Sequence, residues 1–250
     1  MKTKILIGFL SFIVLCGCEK EDNPVYSKNG KLKRILHYSS DGSNSLGSIE
    51  EYEYDNEGRI SKVSTLYESE EMVGKLNYDI YNYNPQGQLI KVENFYENNN
   101  SPTKIFNYRN TIYTYLDNGE IEKIWIEYPT TSKFEYALYK YENNYLSKIE
   151  TYNNSNILES YVKNVYDSSE NLIKEIFYGR DNQQYSYTQH TYKNGLNVRS
   201  NVFSGKNKEH WREIIKTYDK DGNLITLESN ELSVFSSATC YMLRYEYFED

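Results

Sequence analysis

The fold of this chain is decided by the stretch Tyr54-Asp55-Asn56-Glu57-Gly58-Arg59-Ile60-Ser61-Lys62-Val63. An Asp or Asn directly after a strand accepts hydrogen bonds from the backbone of a turn, and Gly supplies the positive φ that closes the turn. The stretch therefore predicts a β-hairpin with a loop of about four or five residues. Simple alternation predicts Tyr52 and Tyr54 on one face before the turn. After the turn it predicts Ile60 and Lys62 on one face and Val63 on the other.

The same pattern recurs along the whole sequence. Its copies begin at a series of lead tyrosines: Tyr26, Tyr54, Tyr83, Tyr115, Tyr141, Tyr166, Tyr192 and Tyr218. Glu170 stands at the glycine position of one copy, and the copies at Tyr141 and Tyr192 have shorter turns. The sequence ends with a further lead tyrosine, Tyr247, in a segment that matches only the incoming strand of a ninth unit. Gly, Leu or Ile, and Lys keep their register with these tyrosines, which indicates a structural repeat.

Each copy predicts one hairpin of two strands, joined to the next hairpin by loops such as 41–47, 68–74 and 98–101. About eight hairpins correspond to about 16 or 17 strands in an all-β fold. A long antiparallel meander twists, and its open edges invite aggregation. We therefore expect residues 25–250 to form one β-repeat domain, rolled into a barrel-like sheet with the last strand near the first.

A membrane-spanning barrel is the alternative to a water-soluble one. It needs a lipid-facing apolar band about 25 Å tall. Neighbouring charged residues such as Glu122 and Lys123 place charge on both faces of many strands. The sequence therefore favours a sheet that is exposed to water.

The first residues have the pattern of an export signal. Lys2 and Lys4 precede an apolar run from Ile5 to Leu15, which is shorter than the roughly 20 residues of a spanning helix. Leu15-Cys16-Gly17-Cys18 resembles a lipobox, which implies that residues 1–17 are a lipoprotein signal peptide and that Cys18 carries the lipid. An ordinary signal peptide is the alternative. Residues 18–24 are expected to form an acidic tether, and the resemblance implies that the lipid on Cys18 provides the membrane contact.

Composition restricts the partners of the chain. The net charge is −8, and removal of Lys2 and Lys4 with the signal makes it −10. This acidity argues against nucleic acid as a partner. The chain has 28 Tyr but only 9 Phe and 2 Trp, and tyrosine suits half-buried strands because it combines an apolar ring with a polar tip.

The Tyr-Asp-x-x-Gly-x-Leu/Ile core is similar to the YD repeat of RHS-type proteins, whose shells are built from stacked hairpins. The lipobox, the acidic tether and the repeats together resemble a family of Bacteroidetes-type outer-membrane lipoproteins with a porin-like domain of unknown function. This resemblance covers roughly residues 25–250 and implies a porin-like fold, with the outer membrane as location. The acidic tether implies that the protein faces the cell exterior, and the periplasmic face is the alternative. The resemblance implies no catalytic residue.

A search for chemical motifs identifies no catalytic residue, no metal site and no cofactor. His37, His190 and His210 are far apart in sequence. Trp125 and Trp211 are the most informative side chains, and with Tyr128 they are candidate binding aromatics, because exposed rings stack on sugars or on apolar patches of proteins. Core packing is the competing interpretation of these rings. The sequence leaves three hypotheses: a non-catalytic surface module that binds a glycan or a protein, a structural envelope scaffold, and a glycan-active hydrolase.

Overall fold

The computed structural model describes residues 31–38, 45–67, 76–97, 105–205, 207–231 and 240–247. They form sixteen β-strands and no helix, and none of these residues belongs to a helix capable of crossing a membrane. The strands are β1 Leu32–Tyr38, β2 Leu46–Tyr54, β3 Ile60–Tyr67, β4 Leu76–Tyr83, β5 Leu89–Glu97, β6 Ile105–Tyr115, β7 Ile121–Tyr128, β8 Lys133–Glu142, β9 Tyr145–Tyr152, β10 Leu158–Tyr166, β11 Leu172–Gly179, β12 Gln184–Lys193, β13 Leu196–Ser204, β14 His210–Tyr218, β15 Leu224–Glu231 and β16 Cys240–Tyr247.

Every strand pairs antiparallel with its neighbours in sequence, and β16 pairs with β1, so the sheet is a closed barrel. The predicted all-β meander of hairpin repeats in a barrel-like sheet is therefore confirmed, and the structure shows in addition that the sheet closes between the last strand and the first. Most of the predicted linker residues, such as 41–44 and 68–74, lie outside the described residues.

The closing pair is a split copy of the repeat. Leu32 lies opposite Tyr247 and Arg34 lies opposite Glu246, with a register shift between them. The hairpin at Tyr54 has the same arrangement, because Ile60 lies opposite Tyr54 and the next pair is also shifted. Strand β16 thus supplies the incoming half of a repeat, and β1 supplies the outgoing half. This outgoing half belongs to the Tyr26 copy, whose residues 26–30 lie outside the described residues.

The turns follow the chemistry of the repeat. Gly58, Gly87, Gly119, Gly195 and Gly222 all have a positive φ, between 76° and 86°. Glu170 occupies the same position with a φ of 67°, so one copy tolerates a non-glycine residue there.

Asp219 shows how the first turn residue acts. Its Oδ1 accepts hydrogen bonds from the backbone N–H groups of Asp221 and Asn223, at 2.9 and 2.8 Å. This side chain therefore satisfies turn N–H groups that have no partner in the ladder.

A β-bulge follows each glycine turn and corrects the predicted facing of the outgoing strand. Tyr54 lies opposite Ile60 but Glu53 lies opposite Lys62, so Ser61 is the extra residue. The prediction that Ile60 and Lys62 share a face was wrong. The bulge resets the alternation, so that Ile60 and Val63 face the barrel interior, at 2% and 6% exposure, while Lys62 faces outward.

The lead tyrosines link each repeat to the one before it. Each described one donates a hydrogen bond from its hydroxyl to a backbone carbonyl in the outgoing strand of the preceding repeat, at 2.5 to 3.0 Å. The pairs are Tyr54 with Leu32, Tyr83 with Ile60, Tyr115 with Leu89, Tyr141 with Ile121, Tyr166 with Leu146, Tyr192 with Leu172, Tyr218 with Asn197 and Tyr247 with Leu224. Eight donors thus meet eight acceptors in a closed ring, which we call the tyrosine ring.

The side chains that face the barrel interior change from mainly apolar to polar along the barrel axis. Near the glycine turns it contains the tyrosine ring and two apolar clusters, one around Ile60 and Leu224 and one around Ile121 and Tyr113. Farther from these turns the inward positions are polar. There Asn94 donates to Asp79 at 2.6 Å and accepts from Arg109 at 2.9 Å.

Candidate functional site

Aromatic rings on the outer face form cross-strand pairs. In four stacked pairs, the first ring lies five residues before a lead tyrosine, at a position that alternation directs outward, and the second ring lies on the neighbouring strand. The stacked pairs are Tyr78 with Phe95, Tyr136 with Tyr152, Tyr161 with Tyr178 and Tyr187 with Phe203, with centroids 4.7 to 5.0 Å apart and planes within 14°. Stacked pairs of this kind stabilise the sheet. Each ring uses one of its faces against a neighbour of the same protein.

The rings around Trp125 are arranged differently. Trp125 on β7 is tilted by 52° against Phe134 and by 40° against Tyr136, at centroid distances of 5.3 and 5.1 Å. Tyr136 in turn stacks on Tyr152. We call these four residues the Trp125 cluster. Because the Trp125 ring is tilted away from its neighbours, it is not enclosed in a parallel stack.

Lys123 holds a positive charge against this cluster. Its Nζ lies 3.5 Å from the centroid of Trp125 and 3.9 Å from that of Tyr136, which are close cation–π distances. Partial burial lowers the pKa of Lys123 below its ordinary value, and Glu122 acts in the opposite direction. An anionic group of a ligand next to Lys123 would raise the pKa of this lysine again, because it would stabilise the charged ammonium.

A depression of about 300 Å³ opens beside the cluster, at the end of the barrel opposite the glycine turns. Its lining combines rings and a proline with charged and hydroxyl groups: Trp125, Glu127, Tyr128, Pro129, Ser132, Lys133 and Phe134. Apolar walls with a few polar groups are typical of small-molecule sites. The described lining has one carboxylate, Glu127, whereas glycoside hydrolysis ordinarily uses a pair.

Of the three aromatic residues that the sequence singled out, Trp125 and Tyr128 both line the depression, whereas Trp211 lies elsewhere on the barrel. Trp125 faces outward. Tyr128 is in phase with the inward Ile124 and donates to Glu135 at 2.6 Å. Burial and then Glu135 raise the pKa of Tyr128 to about 12. Trp211 lies on β14, with six strands between it and β7, and the guanidinium of Arg212 lies 5.0 Å from its ring. The lipidation candidate Cys18 lies outside the described residues.

The histidines do not meet, and the described residues contain no group of three potential metal ligands. His190 contacts Glu175 at 2.9 Å through Nε2 and Ser200 at 2.8 Å through Nδ1. This order resembles a nucleophile, a base and an orienting acid. Ser200 is only 3% exposed, however, so its hydroxyl is closed to a substrate. The three side chains of Glu175, His190 and Ser200 therefore form a hydrogen-bond network that links neighbouring strands on the inner wall of the barrel.

Sequence reasoning missed Phe134, Tyr136 and Lys133 as members of the site. Phe134 and Tyr136 lie on β8, and the β7–β8 register places them opposite Glu127 and Trp125. The signal was present in the sequence, because Phe134 and Tyr136 are two apart and so share a face with each other. Their contact with Trp125 depends on the pairing register of β7 and β8 across the connection 129–132, and simple alternation does not give that register.

No protein-family model and no curated protein matches this chain. Among solved structures it is similar to a porin-like protein from Bacteroides uniformis, with 11% identity, a TM-score of 0.38, and coverage of 87% of this chain and 98% of that one. A porin-like protein from Bacteroides vulgatus has 10% identity, a TM-score of 0.37, and coverage of 88% and 99%. A structure described as TcdB2-TccC3-TEV has 13% identity and a TM-score of 0.30, and the match covers 86% of this chain and 14% of that one.

Proposed function

We propose that this protein is a lipid-anchored outer-membrane lipoprotein whose barrel faces the cell exterior and binds carbohydrate, without catalysis, at the depression beside Trp125. The observation that carries the proposal is the tilted Trp125 ring, which shares this depression with Glu127 and Lys133. Anchoring at Cys18 is supported by the lipobox-like sequence and the acidic tether that follows it.

The lining suits a sugar because both have two kinds of surface. A hexose presents C–H groups on its faces and hydroxyls at its edge. The rings of Trp125 and Phe134 and the ring of Pro129 offer apolar contact, and the carboxylate of Glu127 and the ammonium of Lys133 offer hydrogen-bond partners. A purely apolar ligand would leave these charged groups without partners, which costs free energy.

The test is a glycan array probed with the full-length protein in detergent, followed by titration of the best oligosaccharide. We expect Trp125→Ala to remove binding. Tyr78→Ala deletes an outward ring on another wall, at the repeat position that Tyr136 occupies next to Trp125, and this control should bind normally. Circular dichroism melts of both variants separate loss of binding from loss of fold.

Fluorescence gives an independent reading. The chain has two tryptophans, so Trp211→Phe leaves Trp125 as the sole indole. We expect the oligosaccharide to change the emission of the Trp211→Phe variant and to leave the Trp125→Phe variant unchanged. The full-length protein could instead bind no glycan on the array and bind a surface protein at the same depression. That result would replace the carbohydrate proposal with a protein-binding one.

A further inference from the structure

Five consecutive strands each carry one lysine on the outer face of the barrel. They are Lys123 on β7, Lys140 on β8, Lys148 on β9, Lys163 on β10 and Lys174 on β11. We call them the lysine row. Lys140 lies directly opposite Lys148, and Lys148 lies directly opposite Lys163. Like charges directly opposite each other destabilise a sheet, so this arrangement is unfavourable for the empty protein.

One carboxylate lies among these lysines and offsets part of their charge. Glu150 is bound by Lys140 at 2.7 Å and by Lys148 at 2.6 Å. Burial would raise the pKa of Glu150, but hydrogen bonds from Lys140, Lys148 and Tyr152 lower it to about 2, so it is ionised at neutral pH. In the described part of the chain no carboxylate lies within ion-pair distance of Lys123, Lys163 or Lys174.

The outer rings hold several of these ammonium groups in place. Lys148 lies 4.3 Å from the ring centroid of Tyr161, and Lys174 lies 4.2 Å from that of Tyr187. Lys123 packs against the Trp125 cluster in the same way. Ring contacts of this kind restrict long flexible side chains without neutralising them. The row is thus a set of positioned positive charges on a chain whose net charge is −8.

The other wall of the barrel provides the contrast. Lys62 and Lys91 occupy the same repeat position as Lys123, Lys148 and Lys174. Lys62 is paired with Glu53 at 2.9 Å and Lys91 with Glu93 at 2.7 Å. Several copies of the repeat therefore place a lysine at this outward position, although Thr226 occupies it in the Tyr218 copy, and a lysine there can have a carboxylate partner. Among the described residues, the lysines at this repeat position that have no carboxylate within ion-pair distance, Lys123 and Lys174, lie on the wall from β7 to β11.

From this row we infer that the protein binds an acidic polysaccharide, with at least one carboxylate or sulfate per disaccharide unit, laid across β7 to β11. This inference rests on the proposed carbohydrate function and names its ligand class. Lysines at the same repeat position recur every second strand, about 9.5 Å apart for strands spaced 4.7–4.9 Å, which is close to the length of a disaccharide unit in an extended chain. Lys123 joins the row to the Trp125 cluster, where a terminal sugar meets the depression.

The experiment measures binding of the full-length protein in detergent to immobilised polygalacturonate, chondroitin sulfate and neutral dextran at several salt concentrations. We expect binding to at least one acidic polymer, weakened by salt, and no salt-dependent binding to dextran. The double variant Lys163→Gln/Lys174→Gln should lose roughly tenfold in affinity. The charge-matched control Lys62→Gln/Lys91→Gln should bind like the wild type, and melting curves verify the fold of both variants.

Several results would overturn the inference. They are failure to bind both acidic polymers, an equal loss in the control variant, or a preference for phosphatidylglycerol vesicles or single-stranded DNA over both polymers. If acidic polymers fail but a neutral oligosaccharide still binds in a Trp125-dependent way, the proposed function stands and the acidic ligand class falls. If the acidic polymers bind through the row while Trp125→Ala has no effect, the row is right and the depression is not the site.

Discussion

Tyr247 on β16 lies directly opposite Leu32 on β1, and this pair converts a meander into a ring. The hydroxyl of Tyr247 also donates to the carbonyl of Leu224 at 2.8 Å, just as each of the other lead tyrosines donates to a carbonyl of the repeat that precedes it. The two ends of the domain are therefore halves of one hairpin that lacks its turn.

A circular permutant tests this closure. Residue 247 is joined to residue 32 through a copy of the 55–59 turn, residues 1–31 are removed, and new ends are opened between Asn143 and Asn144. We expect the permutant to fold with the same circular dichroism spectrum, because no ladder is cut. A variant that lacks residues 240–250 should instead aggregate, because loss of β16 leaves β15 and β1 as two open sheet edges. A permutant that stays unfolded would show that the ends do not form an equivalent hairpin.

The tyrosine ring is tested by removing one hydroxyl. Tyr115 donates to Leu89 at 2.6 Å. We expect Tyr115→Phe to lower the free energy of unfolding by about 1 kcal/mol, because the buried carbonyl loses its donor. Tyr187→Phe is the matched control, since the Tyr187 hydroxyl has no hydrogen-bond partner among the described residues. Urea denaturation compares the two, and equal effects would contradict a structural role for the ring.

The repeat glycine is tested by adding one methyl group. Gly87 has a φ of 81°, and a Cβ at this position would come no closer than 3.8 Å to its neighbours. We expect Gly87→Ala to destabilise the protein by about 1 kcal/mol through backbone strain alone. Gly47→Ala, at a position without positive φ, should have little effect. Thermal melts decide, and an unchanged melting temperature for Gly87→Ala would remove the conformational explanation of the repeat.

Glu150 predicts an acid-sensitive contribution to stability. Its folded pKa of about 2 lies below its ordinary value of 4.5, so the contribution is complete above pH 4.5 and is lost as the pH falls toward 2. We expect Glu150→Gln to be less stable than the wild type by roughly 3 kcal/mol at pH 7. The difference should shrink near pH 3. A difference that is independent of pH would assign the loss to packing rather than to charge.

The tyrosine ring predicts a limit at alkaline pH. Burial raises the pKa of Tyr115 and Tyr218 to about 12, above the ordinary value of 10.0. Their contribution to stability is therefore complete below pH 10 and is lost as the pH rises through 12. Absorbance at the phenolate wavelength should show a group of tyrosines that ionises late, together with unfolding. Ionisation of all tyrosines near pH 10 with the fold intact would contradict burial of the ring.

The sequence was sufficient to predict the hairpins because the turn requirements are local. Asp219 and Gly222 act within their own turn, and neither depends on distant strands. The facing of Lys62 was predicted wrongly because a bulge is a relation between two strands, and the one-residue shift at Ser61 leaves no trace in simple alternation.

The candidate site was predictable only in part. Trp125 stood out because tryptophan is rare in this chain, but its neighbours on β8 depend on register. The overall negative charge concealed the lysine row, since Lys140, Lys148 and Lys163 become adjacent only when β8, β9 and β10 are paired.

The split hairpin also determines when the protein is complete. Fourteen of the sixteen strands find both partners among their sequence neighbours, whereas β1 must wait for β16, which is the last described segment of the chain. A ribosome or a translocation channel that still holds β16 therefore holds an open sheet. The final step of barrel closure is the pairing of β16 with β1, and it cannot begin before residues 240–247 have emerged.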